Sequence, residues 1–446
     1  MTKGGWTRVA LLTAAILAGP LALGPSGSPT QAAAPAGTED WSTFHHDRRH
    51  TGVSAETTLG AANAASLTVH WKQSTGTKSF SSPAIVYNNT LGKALVYVGN
   101  QGGRMAAYDT AGNNVWSYQV KKVTGLSKNI ETSPAVVGNT VYFGASDHNF
   151  YALNATTGAF ICSFATTGNI AAAPMVVNPD GTGNVVYFAD SGPSGDTSDG
   201  GNVWAINAVG SSAGGCTLKW QFNAFGNPAG SQTGVAGSYT APAYGKDANG
   251  RPVIIIGSTD PDDAVYALDA VTGALHWRFQ TFVGTDTDVG APATVTLPKT
   301  NGLAGGAVYV SGKAGFVYAI NLTTGASIWT SKRLPNPTQS SAAVAGRTVY
   351  VGFGNGVIAL DAVTGAEVWR TAAMAGVVSS PAISGAAGNQ VLFCGDLAGI
   401  VHAFKLTDGS SLFSFTTGGL IFASPGVSTG QMFISSSDGF LYAFGL

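Results

Sequence analysis

The chain is short of charge. Charged residues make up 10% of its 446 positions, far below the roughly 25% usual for a soluble domain. Lys and Arg number 22 against 23 Asp and Glu, so no broad basic field exists to attract a phosphate backbone, which argues against nucleic acid as a partner. Three cysteines permit one disulfide in an exported chain. Beyond the amino terminus no stretch approaches the ~18 consecutive apolar residues of a membrane span. A nucleophile elbow with a Ser/His/Asp arrangement is missing, and the Gly-rich turns lack the Lys-Ser/Thr ending of a phosphate loop.

What stands at the amino terminus is a targeting pattern. Lys3 and Arg8 precede an apolar run from Val9 to about Leu23, followed by Gly, Pro and Ser and then Thr30-Gln31-Ala32-Ala33-Ala34. That pattern predicts a secretory signal peptide over 1–32. No Cys lies near the cut to carry a lipid, so the expected mature protein is secreted, unanchored and monomeric. A lead-in over 33–66 and a repeat domain over 67–446 complete the expected organisation.

The repeat carries most of the information. Hydrophobic residues are 44% of the chain and Gly numbers 61, while Trp, Tyr and Phe recur between Gly-rich turns, which indicates an all-β protein rather than disorder. A small-residue and proline step returns every 40 to 60 residues: Ser82-Pro83, Ser133-Pro134, Ala173-Pro174, Ala241-Pro242, Ala291-Pro292, Ser341-Ala342, Ser380-Pro381 and Ser424-Pro425. After each step come alternating apolar strands such as Val141-Tyr142-Phe143 and Val265-Tyr266-Ala267-Leu268, then a turn such as Asp269-Ala270-Val271-Thr272-Gly273 and a strand carrying Trp277. Asp bonds its own turn and Gly adopts positive φ, which a tight antiparallel connection requires. The last unit ends at Leu446 after three strands, whereas Leu67-Thr68-Val69-His70-Trp71 stands alone before the first complete unit. Pairing the two closes a ring. The expected fold is an eight-bladed β-propeller of four-stranded blades, with an N-terminal strand completing the last blade.

Residues 267–277 and 359–369 carry an Ala-x-Asp-x-x-Thr-Gly-x-x-x-Trp phrase, and partial copies occupy 152–162, 319–329 and 403–413. In this the chain resembles the pyrroloquinoline-quinone-repeat (PQQ-repeat) β-propeller proteins over essentially its whole mature length. The resemblance implies that Trp71, Trp116, Trp220, Trp277, Trp329 and Trp369 are docking residues, each stacked between an Ala of its own blade and a turn Gly of the next. Cys162 stands where blade 2 should carry such a Trp, and Cys216 aligns with the turn Gly of blade 3, so the resemblance implies a Cys162–Cys216 disulfide. Cys394, in an apolar strand run, reads as a small buried residue. The segment Trp41 to Gly52 holds three His and an Asp within six residues, but it resembles the lead-in that packs on such rings rather than a metal site.

The resemblance identifies a scaffold and leaves its activity open. The preferred reading is a non-catalytic binding or scaffolding propeller whose funnel face takes an extracellular protein, a glycan or a small molecule. The alternative is a PQQ- and calcium-dependent quinoprotein dehydrogenase acting on an alcohol or sugar. It is disfavoured because the chain has neither the vicinal Cys pair nor the Cys-x-x-Cys-His haem site of such enzymes. No cofactor is assigned outright, and PQQ ranks below Ca²⁺. Acidic residues concentrate in loops that the resemblance places on the funnel side: Asp190, Asp196 and Asp199, then Asp260, Asp262 and Asp263, then Asp286 and Asp288. They read either as turn formers bonding their own backbone or as oxygen ligands for Ca²⁺, with Asp286 and Asp288 the leading pair.

Overall fold

The computed structural model describes residues 40–121, 123–192, 200–223, 225, 236–335, 339–372 and 374–446. The expected signal peptide lies outside them. Eight antiparallel sheets of four strands each stand in a ring, and each innermost strand touches the next, the eighth returning to the first. The chain is an eight-bladed β-propeller. Thr68–Ser74 pairs antiparallel with Phe440–Gly445, so the first strand supplies the outer edge of blade 8 and no sheet is left to end the ring. Among the described residues no helix is long and apolar enough to cross a membrane.

Blade 4 shows why these residues form these strands. Its strands are Ala243–Lys246, Pro252–Gly257, Ala264–Asp269 and Leu275–Gln280. Val253 through Gly257 and Ala264 through Leu268 are buried, because the middle strands of a blade are covered on both faces by neighbouring blades and so read as continuous apolar runs. At the turn, Asp269 Oδ1 accepts from Val271 N at 3.0 Å and Thr272 N at 2.8 Å, and Gly273 takes φ +76°. Asp361 makes the same bonds in blade 6, and Asn154 and Asn321 replace it in blades 2 and 5.

The outer strand then meets its neighbour blade through one device. Ala267 pairs with Trp277, and a one-residue shift follows. The indole therefore projects onto the next blade, where Trp277 Nε1 donates to Leu322 O at 3.0 Å and the ring covers Gly325, a Cβ on which would fall 2.7 Å from the indole. Trp71, Trp116, Trp220, Trp329 and Trp369 repeat it over Gly112, Gly158, Gly273, Gly365 and Gly409, with Nε1 bonded to the carbonyls of Thr110, Ala155, Ala270, Ala362 and Leu406. Two interfaces depart. Between blades 2 and 3, Cys162, opposite Ala152, is joined to Cys216 across a separation of 54 residues. Between blades 7 and 8, Phe413 lies opposite Ala403 and meets Phe444 edge-on.

Within the ring, the small-residue steps line a central channel. Five of them are linked by hydroxyls: Ser341 N donates to Ser380 Oγ, Ser380 N to Ser424 Oγ, Ser424 N to Ser82 Oγ and Ser82 N to Ser133 Oγ, at 2.8 to 3.1 Å. Blade 5 corrects the sequence reading by one residue. Its innermost strand starts at Thr294, so Ala293 occupies the position of the other prolines, and Pro292 lines the channel.

The lead-in threads the far end of this channel and bonds to every blade. Trp41 pairs with Ile85 of blade 1; Ser42 O accepts from Val136 and Thr43 Oγ1 donates to Pro174 O. Arg48, Arg49, Thr51 and Gly52 carbonyls accept from Tyr244, Val295, Val344 and Ile383, and Ser54 Oγ donates to Val427 O in blade 8. His45 Nε2 donates to Pro381 O at 2.7 Å and His50 Nδ1 to Ala293 O at 3.1 Å. The two rings thus bond to backbone carbonyls of different blades, 7 and 5, rather than to one ion. Their outward nitrogens, His45 Nδ1 and His50 Nε2, are buried without partners. Burial pushes both imidazoles down to about 4.

Candidate functional site

The acidic loops lie at the channel end opposite the lead-in, and the structure sorts their carboxylates into different roles. Asp260 and Asp263 sit between the second and third strands of blade 4, and Asp288 in the connection to blade 5. One oxygen from each of these three lies within 4.8 Å of the others. Asp263 is fully buried, with φ +45°, a backbone region that costs a non-Gly residue about 1 kcal/mol or more and persists where surroundings impose it. Its Oδ2 accepts from Thr287 Oγ1 at 2.7 Å. Its Oδ1 has no hydrogen-bond partner.

Such an orphaned buried carboxylate oxygen is costly. Burial first, then the adjacent Asp260 and Asp288 carboxyls, push Asp263 up to about 7, with the Thr287 hydroxyl pulling the other way. Asp288 behaves oppositely. Burial opposes its ionisation, yet Lys313 Nζ at 2.6 Å and Tyr239 OH at 2.5 Å hold it below the usual carboxylate range. Its Oδ1 also accepts from Asp260 N at 2.8 Å.

The remaining acidic residues do not join this group. Asp286 is exposed and pairs with Lys313 at 2.5 Å, so Lys313 bridges the pair that the sequence put forward, and only Asp288 faces the buried cluster. Asp262 is held by Ser258 Oγ, Tyr266 OH and Arg278 Nη2 at 2.5 to 2.7 Å. Asp190, also buried, accepts from Trp204 Nε1, Thr167 Oγ1 and Asn202 N. Asp196 and Asp199 lie outside the described residues.

Sequence reasoning missed Tyr239. It lines the channel, accepts from Gln339 Nε2 at 2.9 Å and donates to Asp288, which links blade 6 to the acidic cluster through the channel wall. Its signal was available: Tyr239 stands three residues before Pro242, the position that faces the channel as Phe80 in blade 1 and Glu131 in blade 2.

The chain matches a profile described as outer membrane protein assembly factor BamB, of the PQQ-repeat type, over residues 30–219, 313–387 and 355–445. The chain is a PQQ-repeat β-propeller protein. A second profile, the β-propeller domain of glucose, ethanol and alcohol dehydrogenases, matches this propeller over residues 258–348, which includes the acidic cluster. The propeller is 27% identical over 209 residues to outer membrane protein assembly factor BamB of Legionella pneumophila (strain Paris), covering 45% of this chain and 52% of that one. It is 29% identical over 234 residues to tetrathionate hydrolase of Acidithiobacillus ferrooxidans, covering 49% and 42%. The chain thus spans about half the length of the curated relatives it matches.

Among solved structures, a europium-containing methanol dehydrogenase superposes with a TM-score of 0.74 at 16% identity, covering 91% of this chain and 98% of that one. Quinohemoprotein alcohol dehydrogenase from Comamonas testosteroni gives 0.74 at 17%, covering 92% and 81%. BamB from Moraxella catarrhalis gives 0.59 at 17%, covering 85% and 98%. At these identities the likeness is one of fold.

The quinone of such dehydrogenases carries several carboxylates. Among the described residues, the channel lining holds no Lys or Arg, and its one charged group is Glu131, raised by burial. The nearby cations Lys313 and Arg278 are engaged by Asp286, Asp288 and Asp262. The channel at this point offers about 160 Å³, below the roughly 300 Å³ at which small-molecule pockets begin. The described donor set does not fit a polyanionic quinone. It fits a hard cation, for which three carboxylates and backbone carbonyls are suitable oxygens.

Proposed function

We propose that this propeller is an exported, non-catalytic binding protein whose funnel holds a divalent cation, Ca²⁺ by preference, on Asp260, Asp263 and Asp288. The cation in turn presents a positive centre for an oxygen-rich ligand at the channel mouth. The observation that carries this reading is the unpartnered Oδ1 of fully buried Asp263 beside two further carboxylates. A cation there would supply the missing partner and favour the ionised form that burial disfavours.

Calorimetry of the purified protein with Ca²⁺, and luminescence lifetime with Eu³⁺ as a spectroscopic probe, tests it. Saturable binding by wild type, weakened at least about tenfold in Asp263→Asn, is the expected result. Absence of binding at millimolar Ca²⁺, or equal binding by the variant, would reject it.

The second reading, a quinoprotein dehydrogenase, draws on the dehydrogenase profile over residues 258–348. Adding PQQ with Ca²⁺ and following dye-linked alcohol oxidation separates the two. Saturable reconstitution with turnover would replace the binding-protein reading and leave the cation site in place.

A further inference from the structure

A second concave site lies at the opposite end of the molecule, where the lead-in crosses blades 2, 3 and 4. It is a cavity of about 780 Å³, within the ~300–1,000 Å³ range of small-molecule pockets. One wall is aliphatic, formed by Val137, Met175, Val176 and Leu297 at the ends of the innermost strands. The other wall is charged. Arg48, Arg49 and Lys246 face Asp40 and Asp47, three cations against two carboxylates.

Those carboxylates are already engaged. Asp47 takes Arg49 Nη2 at 3.1 Å and the backbone N–H groups of Arg49 and Thr51, and Asp40 Oδ1 accepts from Tyr87 N at 2.7 Å. Arg48 and Lys246 are exposed and form no ion pair among the described residues, whereas Lys93, Arg251 and Arg347 on the same face are paired with Asp109, Asp247 and Asp361. Arg48 is also held in place. Its carbonyl accepts from Tyr244 N at 2.7 Å and that of Arg49 from Val295 N at 2.9 Å, while the guanidinium lies 5.3 Å from the centroid of the buried Tyr244 ring. Backbone and ring contacts thus present a planar fork of donors at the cavity wall with little further ordering cost.

We propose that this lower cavity binds an amphipathic carboxylate, a short-chain acyl anion, with its head between Arg48 and Lys246. The chain runs along the wall of Val137, Met175, Val176 and Leu297. Oppositely charged groups fix the head, and each buried methylene adds apolar transfer energy. Met175, unbranched and polarisable, lets the wall accommodate chains of different length.

The probe is octanoate, titrated calorimetrically into the full mature chain, with 1-octanol as its uncharged match. Octanoate is expected to saturate one site. Octanol should bind at least about tenfold more weakly, and the Arg48→Gln, Lys246→Gln double variant should lose about tenfold or more for octanoate only. Both substitutions are on exposed side chains, and an unchanged melting temperature confirms folding. Asp263→Asn should leave octanoate binding unaltered, which separates this site from the funnel. The proposal fails if octanoate gives no heat at about 10 mM, if octanol binds equally, if the double variant binds as wild type does, or if Asp263→Asn weakens octanoate. Binding only to phosphatidylglycerol vesicles, and not to octanoate, also overturns it.

Discussion

Blades 6, 7, 8 and 1 and blades 3, 4 and 5 are built from the same repeat, yet only the first arc is regular toward the channel. There, Ser341, Ser380, Ser424 and Ser82 bond in succession from blade to blade, each backbone N–H to the next hydroxyl. In blades 3 and 4 the equivalent positions are Ala173 and Ala241, and in blade 5 Pro292, none of which can pass the chain on. On the outside both arcs use the same staple, Trp220, Trp277 and Trp329 over Gly273, Gly325 and Gly365 in one and Trp369 and Trp71 over Gly409 and Gly112 in the other, with Phe413 in place of the indole between blades 7 and 8. The outer staples recur in both arcs, while the inner face of one arc lacks the serine bonds and carries Tyr239, Asp260, Asp263 and Asp288. A buried carboxylate with an unpartnered oxygen is the kind of local cost that folds tolerate at sites of function.

Breaking the exceptional staple between the arcs should have the largest effect. Reduction, or a Cys162→Ser, Cys216→Ser double variant, is expected to cost about 4 kcal/mol for a loop of 54 residues, read as a shifted urea midpoint. Cys162→Trp with Cys216→Gly, which restores the repeat, should recover much of the loss and make the midpoint indifferent to reductant. No recovery would show that the inserted segment 210–215 forbids the aromatic arrangement.

Acid should act next, through the lead-in that ties both arcs together. His45 and His50 titrate near 4 when folded against an ordinary 6.5. Their contribution is therefore fully present above pH 6.5 and lost as pH falls toward 4, on the order of 3 kcal/mol per imidazole. In urea titrations at pH 7.5 and 4.5, His45→Gln should show a smaller loss between the two than wild type. An equal loss would place the acid sensitivity elsewhere.

Asp263 sharpens the contrast from the other side. Its raised carboxyl favours the fold below pH 4 and loses that advantage as pH rises through about 7. At pH 8 without added metal, Asp263→Asn should therefore stabilise the protein by about 2 kcal/mol, and should show none of the rise in melting temperature expected of wild type with Ca²⁺. Destabilisation by the Asn variant without metal would assign Asp263 a purely structural part. The smallest effect is expected in the regular arc. Ser380→Ala removes one acceptor of the inner ring and should cost about 1 kcal/mol, with cation binding untouched.

Much of the site's neighbourhood could be read from the residues, but not its membership. The acidic loops of blades 4 and 5 stand out by composition, and Asp288 is both legible there and present in the cluster. Asp286 and Asp262 are equally acidic and equally close in sequence, yet Lys313 and Arg278 take them. Which carboxylate turns inward depends on local backbone, such as the positive φ of Asp263, and on cations that arrive from other strands.

By itself the sequence determined the period, the turns and the blade count, and the family resemblance supplied the Trp-on-Gly docking, because each is a local or nearest-neighbour interaction written again from repeat to repeat. Only the tertiary structure decided that Asp263 and Asp288 meet, that Tyr239 joins them through the channel wall, and that residues 41–54 bond to all eight blades. These contacts occur once. They join residues far apart along the chain, and their partners are chosen by ring closure and side-chain direction, for which no repeated pattern exists to be read.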